Sequence, residues 1–270
     1  MRKDSLTIVA KKGYDRSFKD FAIPEPSHET CVGAPSGRGP LTILALGEDR
    51  SERALVRTCR RGGVLGWVLG GLYLNLGTPR SLRELEVSEY ARSRGIPTPE
   101  VLAAAYERVT PVFYKCALAT RELQSGTDLK EALVAMARSP DGVSLEKWRR
   151  TISALGRLVA RMHRAGIYHA DLHLKNVFAS GDELYVLDLD AAKIQNPLSE
   201  LKKYRNLLRL YRSALKLNHG PGRLTRTTLL RFIRSYAAES SCSFRELTSR
   251  LSRLLPFWRL KWKLSDMLGV

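Results

Sequence analysis

The chain is poor in cysteine, has no long apolar run, and is almost without acids toward its end. Its four cysteines, Cys31, Cys59, Cys116 and Cys242, include no Cys-x-x-Cys pair. That spacing gives neither a zinc site nor a disulfide framework, and reduced thiols in a cytosolic protein are expected. The most apolar stretch, Val64–Leu76, is 13 residues long, against roughly 20 for a membrane-spanning helix. It is expected to form a partly buried loop and short helix. Met1–Tyr14 is charged and lacks the apolar centre of a signal peptide. Internal repeats and low-complexity tracts are missing too, which leaves an ordinary globular chain with 44% apolar residues.

What the chain has in excess is positive charge. Lys and Arg number 45 against 27 acids, a balance of +18. From Leu201 onward there are 16 Lys or Arg and 3 acids, so +13 of the +18 lies in the last 70 residues. A basic end of this kind points to a polyanionic neighbour: nucleic acid, an anionic membrane surface or a phosphorylated substrate.

Apolar patterning divides the chain. Leu41–Leu46 and Ala54–Thr58, separated by a polar loop, predict a hairpin. A helix is expected over Ser81–Arg94, stopped by Gly95-Ile96-Pro97. Val101–Tyr106 and Val112–Thr120 predict two more strands. Leu145, Trp148, Ile152, Leu155, Val159 and Met162 recur at helical spacing. Strands first and helices later predict an α+β layout in two lobes. The expected division is a strand-rich lobe over residues 1–122 and a helical lobe over 123–270.

The residues that carry chemistry follow the long helix. His169-Ala170-Asp171 is followed by Asn176, five residues after the aspartate, and by Asp188 in the strand-like run Leu184–Asp190. This is the order of the protein-kinase signature. Phosphoryl transfer needs a carboxylate to hold the acceptor hydroxyl and take its proton, which falls to Asp171. It also needs oxygens that place Mg²⁺ on the nucleotide phosphates, and Asn176 and Asp188 are the candidates. His169 is expected to brace the loop. Upstream, Gly33, Gly37 and Gly39 form a glycine-rich segment suited to close approach of backbone to phosphate. Arg57 occupies the position of the strand cation that meets the nucleotide phosphates, and Glu84 is its natural helix partner, with Glu86 and Glu89 as competitors.

On these residues the sequence resembles the lipopolysaccharide core kinases that act on 3-deoxy-D-manno-octulosonic acid (Kdo). The resembling segments are Gly37-Arg38-Gly39, Val56–Gly63, Arg83-Glu84-Leu85, Gly95–Pro99, Tyr168–Leu172, Leu187–Asp190 and Arg205–Ser213. The resemblance implies a protein-kinase-like fold, ATP with Mg²⁺, and a sugar hydroxyl on an anionic lipid-linked saccharide as acceptor. It implies Asp171 as base, Asn176 and Asp188 as metal ligands, and Arg57 with Glu84 as the phosphate-binding pair. Arg60 and Arg61 would contact nucleotide or the sugar acid. The catalytic loop departs from the family at His173-Leu174-Lys175, where Lys175 is a candidate to reach the transferring phosphoryl group. A heptose kinase is therefore an alternative.

Such a substrate implies peripheral attachment to the cytoplasmic face of a bacterial inner membrane, with no nucleic-acid partner. The basic face of residues 201–216 fits an anionic surface. So does Leu254–Leu264, where Trp258 and Trp262 alternate with cations as in interfacial segments. Two other classes share some of these features. A small atypical kinase of tRNA modification or ribosome assembly would turn the basic surface to phosphate backbone. A catalytically dead kinase fold could bind anionic lipid alone.

Overall fold

A computed structural model describes residues 5–19, 21–24, 41–47, 51–59, 71–138, 142–219 and 224–267. The glycine-rich segment with Gly33, Gly37 and Gly39 lies outside these residues, as do Arg60, Arg61 and most of Val64–Leu76. The chain forms two compact units. One takes in residues up to Ser93, Thr98–Gln124 and the short stretch Asp188–Asp190; the other takes in the rest.

The first unit is built on an antiparallel sheet. Its strands are β1 (Leu6–Ala10), β2 (Leu41–Leu46), β3 (Glu52–Thr58), β4 (Tyr73–Leu74), β5 (Val101–Arg108) and β6 (Phe113–Arg121). They run in the order β1-β5-β6-β3-β2, with β4 paired to β6. The β2–β3 hairpin is present, with Leu41 opposite Arg57. β1 came from a segment without a clear sequence pattern, because its burial alternates only between half-buried and exposed. In the described part of Val64–Leu76 a two-residue strand, Tyr73–Leu74, interrupts turn and loop, and residues 64–70 lie outside the described residues. Tyr73 pairs with Tyr114 and stacks on it at 5.7 Å.

β5 and β6 are apolar on both sides because both faces are covered. Phe18, Leu46, Val56 and Leu102 pack one face, while Leu82 and Leu85 pack over Val101, Ala104 and Leu118 on the other. Those two leucines come from α1 (Arg80–Ser93), which follows Pro79 and ends before Gly95, whose φ of 70° suits a residue without Cβ. The buried positions of α1 are Ser81, Glu84, Val87, Ser88 and Ala91. Small side chains let the helix approach the alanines of β5, and the Ser81 hydroxyl donates to the Ala105 carbonyl at 2.9 Å. Cys59 and Cys116, distant in sequence, are neighbours here. The Cys59 N–H donates to the Cys116 carbonyl at 2.9 Å, and both thiols are buried and free.

The second unit begins with β7 (Thr127–Asp128) and contains α2 (Leu129–Arg138), α3 (Gly142–Arg164), β8 (Ile167–Tyr168), β9 (Val177–Ser180), β10 (Glu183–Val186) and β11 (Lys193–Ile194). It ends with α4 (Glu200–Leu215), α5 (Arg226–Glu239) and α6 (Phe244–Met267). Asp128 opens α2 by accepting the Glu131 N–H at 3.0 Å, and Thr225 opens α5 by accepting the Thr228 N–H at 3.1 Å. In α3 the predicted apolar stripe is buried from Ile152 to Met162, whereas Leu145 at its start is 48% exposed. Gly156 sits where α3 meets α5: a Cβ there would lie 2.6 Å from the Phe232 carbonyl oxygen. Pro256 lies within α6 without ending it.

Candidate active site

In the first unit an ionic cluster forms around Arg57. The residue is half-buried at the end of β3, and its guanidinium faces carboxylates from two directions. Nη2 donates to Glu84 Oε1, and Nη1 lies 3.3 Å from Asp188 Oδ1. A lysine ammonium is a single point and could not divide two separate nitrogens between two carboxylates, whereas the guanidinium fork can. Glu84, and not Glu86 or Glu89, is therefore the helix partner. It is 3% exposed, and burial lifts its carboxyl above the usual range against the pull of Arg57. Burial also works against the charge on Arg57, but Glu84 and Asp188 outweigh it and raise its pKa further.

Asp188 is placed by backbone geometry. The strand expected over Leu184–Asp190 stops at Val186, because Asp188 adopts a left-handed conformation with φ 62°. Aspartate tolerates this region better than most residues, and such strain gathers at functional sites. Oδ1 is buried and has no hydrogen-bond partner beyond its ion pair. Two residues on, Asp190 is ion-paired with Arg80 at the first turn of α1. Arg80 also donates to the Tyr73 hydroxyl at 2.6 Å. One helix thus holds both ends of the acidic segment, through Arg80 directly and through Glu84 by way of Arg57.

In the second unit the loop after β8 carries Asp171. His169 is 1% exposed, and its ring is fixed at both nitrogens. Nε2 donates to the Leu187 carbonyl at 2.9 Å, and Nδ1 accepts the Asp171 N–H at 3.2 Å. This is the geometry of a brace, with neither nitrogen left for substrate. Asn176 closes the 3-10 turn Leu174–Asn176. Its Nδ2 donates to the Asp171 carbonyl at 3.0 Å, and its own carbonyl accepts the Leu187 N–H at 2.9 Å. The amide is thereby oriented with its Nδ2 spent on the loop and its Oδ1 turned the other way. Lys175 is half-buried on the same turn.

The Asp171 carboxylate is exposed and meets two side-chain nitrogens. Arg209 Nη1 lies 2.7 Å from Oδ1 and His173 Nε2 lies 3.3 Å from Oδ2. The hydrogen bond from His173, followed by the charges of His173 and Arg209, lowers its pKa to about 2 despite partial burial. Asp171 is therefore ionised at every physiological pH.

Several residues of this site were not singled out from sequence. Asn206 on α4 is 1% exposed and clamps the loop, with Oδ1 accepting the His169 N–H at 3.2 Å and Nδ2 donating to the His169 carbonyl at 2.6 Å. His163 supports it: Nε2 donates to Asn206 Oδ1 at 3.1 Å while Nδ1 accepts from the Tyr236 hydroxyl at 2.8 Å. Burial holds His163 neutral, with its pKa lowered to about 4. Ser213 accepts the Leu174 N–H at 3.0 Å. The signal was present in the spacing. Asn206, Arg209 and Ser213 are three and four residues apart, so one face of α4 meets the loop at residues 169, 171 and 174 in turn.

Among the described residues no group of three or more His, Cys, Asp or Glu side chains could hold a metal by itself. Mg²⁺ does not require one, since it keeps waters and substrate phosphates around one or two protein oxygens. The buried, unsatisfied Asp188 Oδ1 and the oriented Asn176 amide are donors of the hard-oxygen type this ion takes.

Comparison with known proteins agrees with this architecture. The fold is protein-kinase-like. The structure of WaaP in complex with acyl carrier protein superposes with a TM-score of 0.63 over 94% of this chain and 97% of that one, at 20% identity. The 3-deoxy-D-manno-octulosonic acid kinase of Xanthomonas campestris pv. campestris (strain B100) is 36% identical over 168 residues, 61% of this chain and 62% of that protein. The chain thus matches less than two thirds of that relative's length. The enzyme of the same name from Xylella fastidiosa (strain M12) is 32% identical over 197 residues, 72% of each chain. Residues 26–236 match one family from upstream of β2 into α5, across both ionic clusters, and on that match the chain belongs to the lipopolysaccharide kinase (Kdo/WaaP) family.

Proposed function

We propose that the protein transfers the γ-phosphoryl group of ATP to a hydroxyl of Kdo on the lipid-linked inner core of lipopolysaccharide. The observation that carries this reading is Arg57 shared between Glu84 and Asp188. It is an arginine version of the strand-cation and helix-glutamate pair of kinases, tied to the aspartate that follows β10. The names of the two relatives supply the acceptor, and the family match favours it over an RNA-linked substrate.

In this reaction Arg57 binds the nucleotide phosphates and Glu84 fixes its orientation. Asn176 and Asp188 would each offer an oxygen to Mg²⁺, which would supply charge neutralisation at the phosphate oxygens. Asp171 accepts a hydrogen bond from the acceptor hydroxyl and takes its proton as the new O–P bond forms. The bond from the γ-phosphorus to the bridging oxygen breaks, ADP leaves, and the proton passes from Asp171 to water. A carboxylate with a pKa of about 2 is a weak base. It suffices because a loose phosphoryl-transfer transition state asks for positioning more than for early proton removal. Lys175, on the same loop, is the residue proposed to reach the transferring group.

Peripheral attachment to the inner membrane belongs to the same proposal. Among the described residues no helix is long and apolar enough to cross a bilayer. Trp262, expected to face lipid, is buried: it lies 6.4 Å from Tyr211 of α4, because Trp258 and Trp262 share the inward stripe of α6. The outward stripe carries Phe257 and Leu260, 66% and 60% exposed, among the exposed cations Arg253, Arg259, Lys261 and Lys263. An apolar ridge flanked by these cations suits the anionic headgroup layer.

The test is transfer of label from γ-labelled ATP, with Mg²⁺, to a Kdo-bearing lipid A precursor, with Asp171→Ala alongside. Label in the lipid fraction that is lost in the variant supports the reading. Absence of transfer to this lipid sinks it, and transfer only to a heptose-bearing core reassigns the acceptor.

A further inference from the structure

Arg209 is the residue the kinase reading leaves unexplained. A cation 2.7 Å from the catalytic carboxylate weakens it as a base and competes for the lone pairs that the acceptor hydroxyl needs. Such a contact has a use if the acceptor itself carries a negative charge beside its reacting hydroxyl. An acidic acceptor arriving at Asp171 meets like-charge repulsion that falls off only slowly at short range. A cation shared between the two carboxylates removes that repulsion and fixes which hydroxyl points at the base.

The rest of α4 continues this arrangement. Arg205, Arg209 and Arg212 follow at intervals of four and three residues, so all three fall on one narrow stripe of the helix, and Lys216 caps its C-terminal end. Arg205, Arg209 and Lys216 are exposed. Arg212 lies over the Trp262 ring at 5.9 Å, which limits where its guanidinium can go. The only acid of α4 is Glu200 in its first turn, and it is paired with Lys203 at 2.7 Å. Next to the cationic stripe lies the stripe of Asn206 and Ser213 that grips the loop. The helix is therefore fixed against the catalytic loop by one row of side chains and presents a row of cations beside it.

We infer that this row is the acceptor-binding rail, built for a saccharide bearing carboxylates. Arg209 keeps Nη1 on Asp171 and offers its remaining N–H groups to the carboxylate of the sugar being phosphorylated. Among the described residues, Asp171 is the sole acid with which the Arg209 guanidinium pairs. Arg205 and Arg212, one turn to either side, take the carboxylate of a neighbouring acidic sugar. This inference rests on the proposed kinase activity and deepens it by assigning acceptor specificity to α4.

The experiment compares two acceptors: the Kdo-bearing lipid A precursor and the same lipid with its Kdo carboxyl groups converted to methyl esters. The wild type is expected to prefer the acid over the ester in kcat/KM by about 10- to 100-fold, the worth of a charge-assisted hydrogen bond. Arg209→Gln should abolish that preference, chiefly through KM for the acid acceptor, while Arg209→Lys restores part of it. Arg205→Gln, at an exposed position, should weaken the preference without altering thermal stability. Equal use of acid and ester by the wild type, or a preference that survives Arg209→Gln, overturns the rail. A wild type that phosphorylates neither acceptor overturns the kinase assignment and the rail with it.

Discussion

The two ionic clusters differ in burial, and the difference follows what each would bind. Around Arg57 the partners are more enclosed: Glu84 is almost wholly buried, and the Asp188 side chain, 37% exposed, keeps its Oδ1 buried. Around Asp171 they are open: the Asp171 and Arg209 side chains are 56% and 49% exposed. The pKa directions are opposite as well. Burial pushes the Glu84 carboxyl up, whereas His173 and Arg209 pull Asp171 down to about 2. An enclosed, prebuilt cluster suits an invariant ligand such as a nucleotide. An open cluster with exposed side chains suits a large acceptor that must arrive from solvent and be told apart from similar sugars.

Breaking the open cluster at its centre should have the largest effect. Asp171→Asn keeps the shape but loses the acceptor for the hydroxyl proton. It is expected to lower kcat by about 10²- to 10⁴-fold, with KM for ATP unchanged, as measured by steady-state phosphotransfer. Breaking the enclosed cluster should cost stability as well as activity. Glu84→Ala leaves the Arg57 guanidinium without its buried counter-charge, and a loss of about 3 kcal/mol in urea unfolding is expected.

A third prediction concerns how the open cluster is supported. His163 titrates at about 4 when folded and near 6.5 in an unfolded chain. The unfolded state therefore takes up a proton first as pH falls. Stability from His163 is complete above pH 6.5 and declines toward pH 4, by on the order of 2 kcal/mol at pH 5. Thermal unfolding between pH 7.5 and 5 should show this slope, and His163→Gln should flatten it. The smallest effect is expected from Arg57→Lys, which keeps the charge but loses the fork. It should lower kcat/KM for ATP about 10-fold, as for one charged hydrogen bond, and leave KM for the acceptor alone.

Much of this was legible in the sequence wherever a local period or a short motif carried it. The hairpin that carries Arg57, the helix of Glu84, the long helix α3 and the Asp171-to-Asn176 loop all have such signals. What was hidden depends on packing between distant elements. β1 has no fully buried position of its own, alternating only between half-buried and exposed, and is held on the edge that β5 offers it. Asp188 read as a strand residue because nothing in Leu187-Asp188-Leu189 announces a left-handed turn. Trp258 and Trp262 read as interfacial because composition does not say which stripe of α6 faces α4. The segment Arg205–Ser213 was visible as a family-like stretch and a basic face, without its contacts to the loop. It acquires one when Asn206, Arg209 and Ser213 meet the loop at His169, Asp171 and Leu174.

The contrast between an enclosed nucleotide cluster and an open acceptor cluster is tested most directly by varying both substrates against Arg57→Lys and Arg209→Gln. The account predicts a clean split, with Arg57→Lys changing only the dependence on ATP and Arg209→Gln only the dependence on the Kdo-bearing lipid. Equal changes in both dependences for either variant would contradict it.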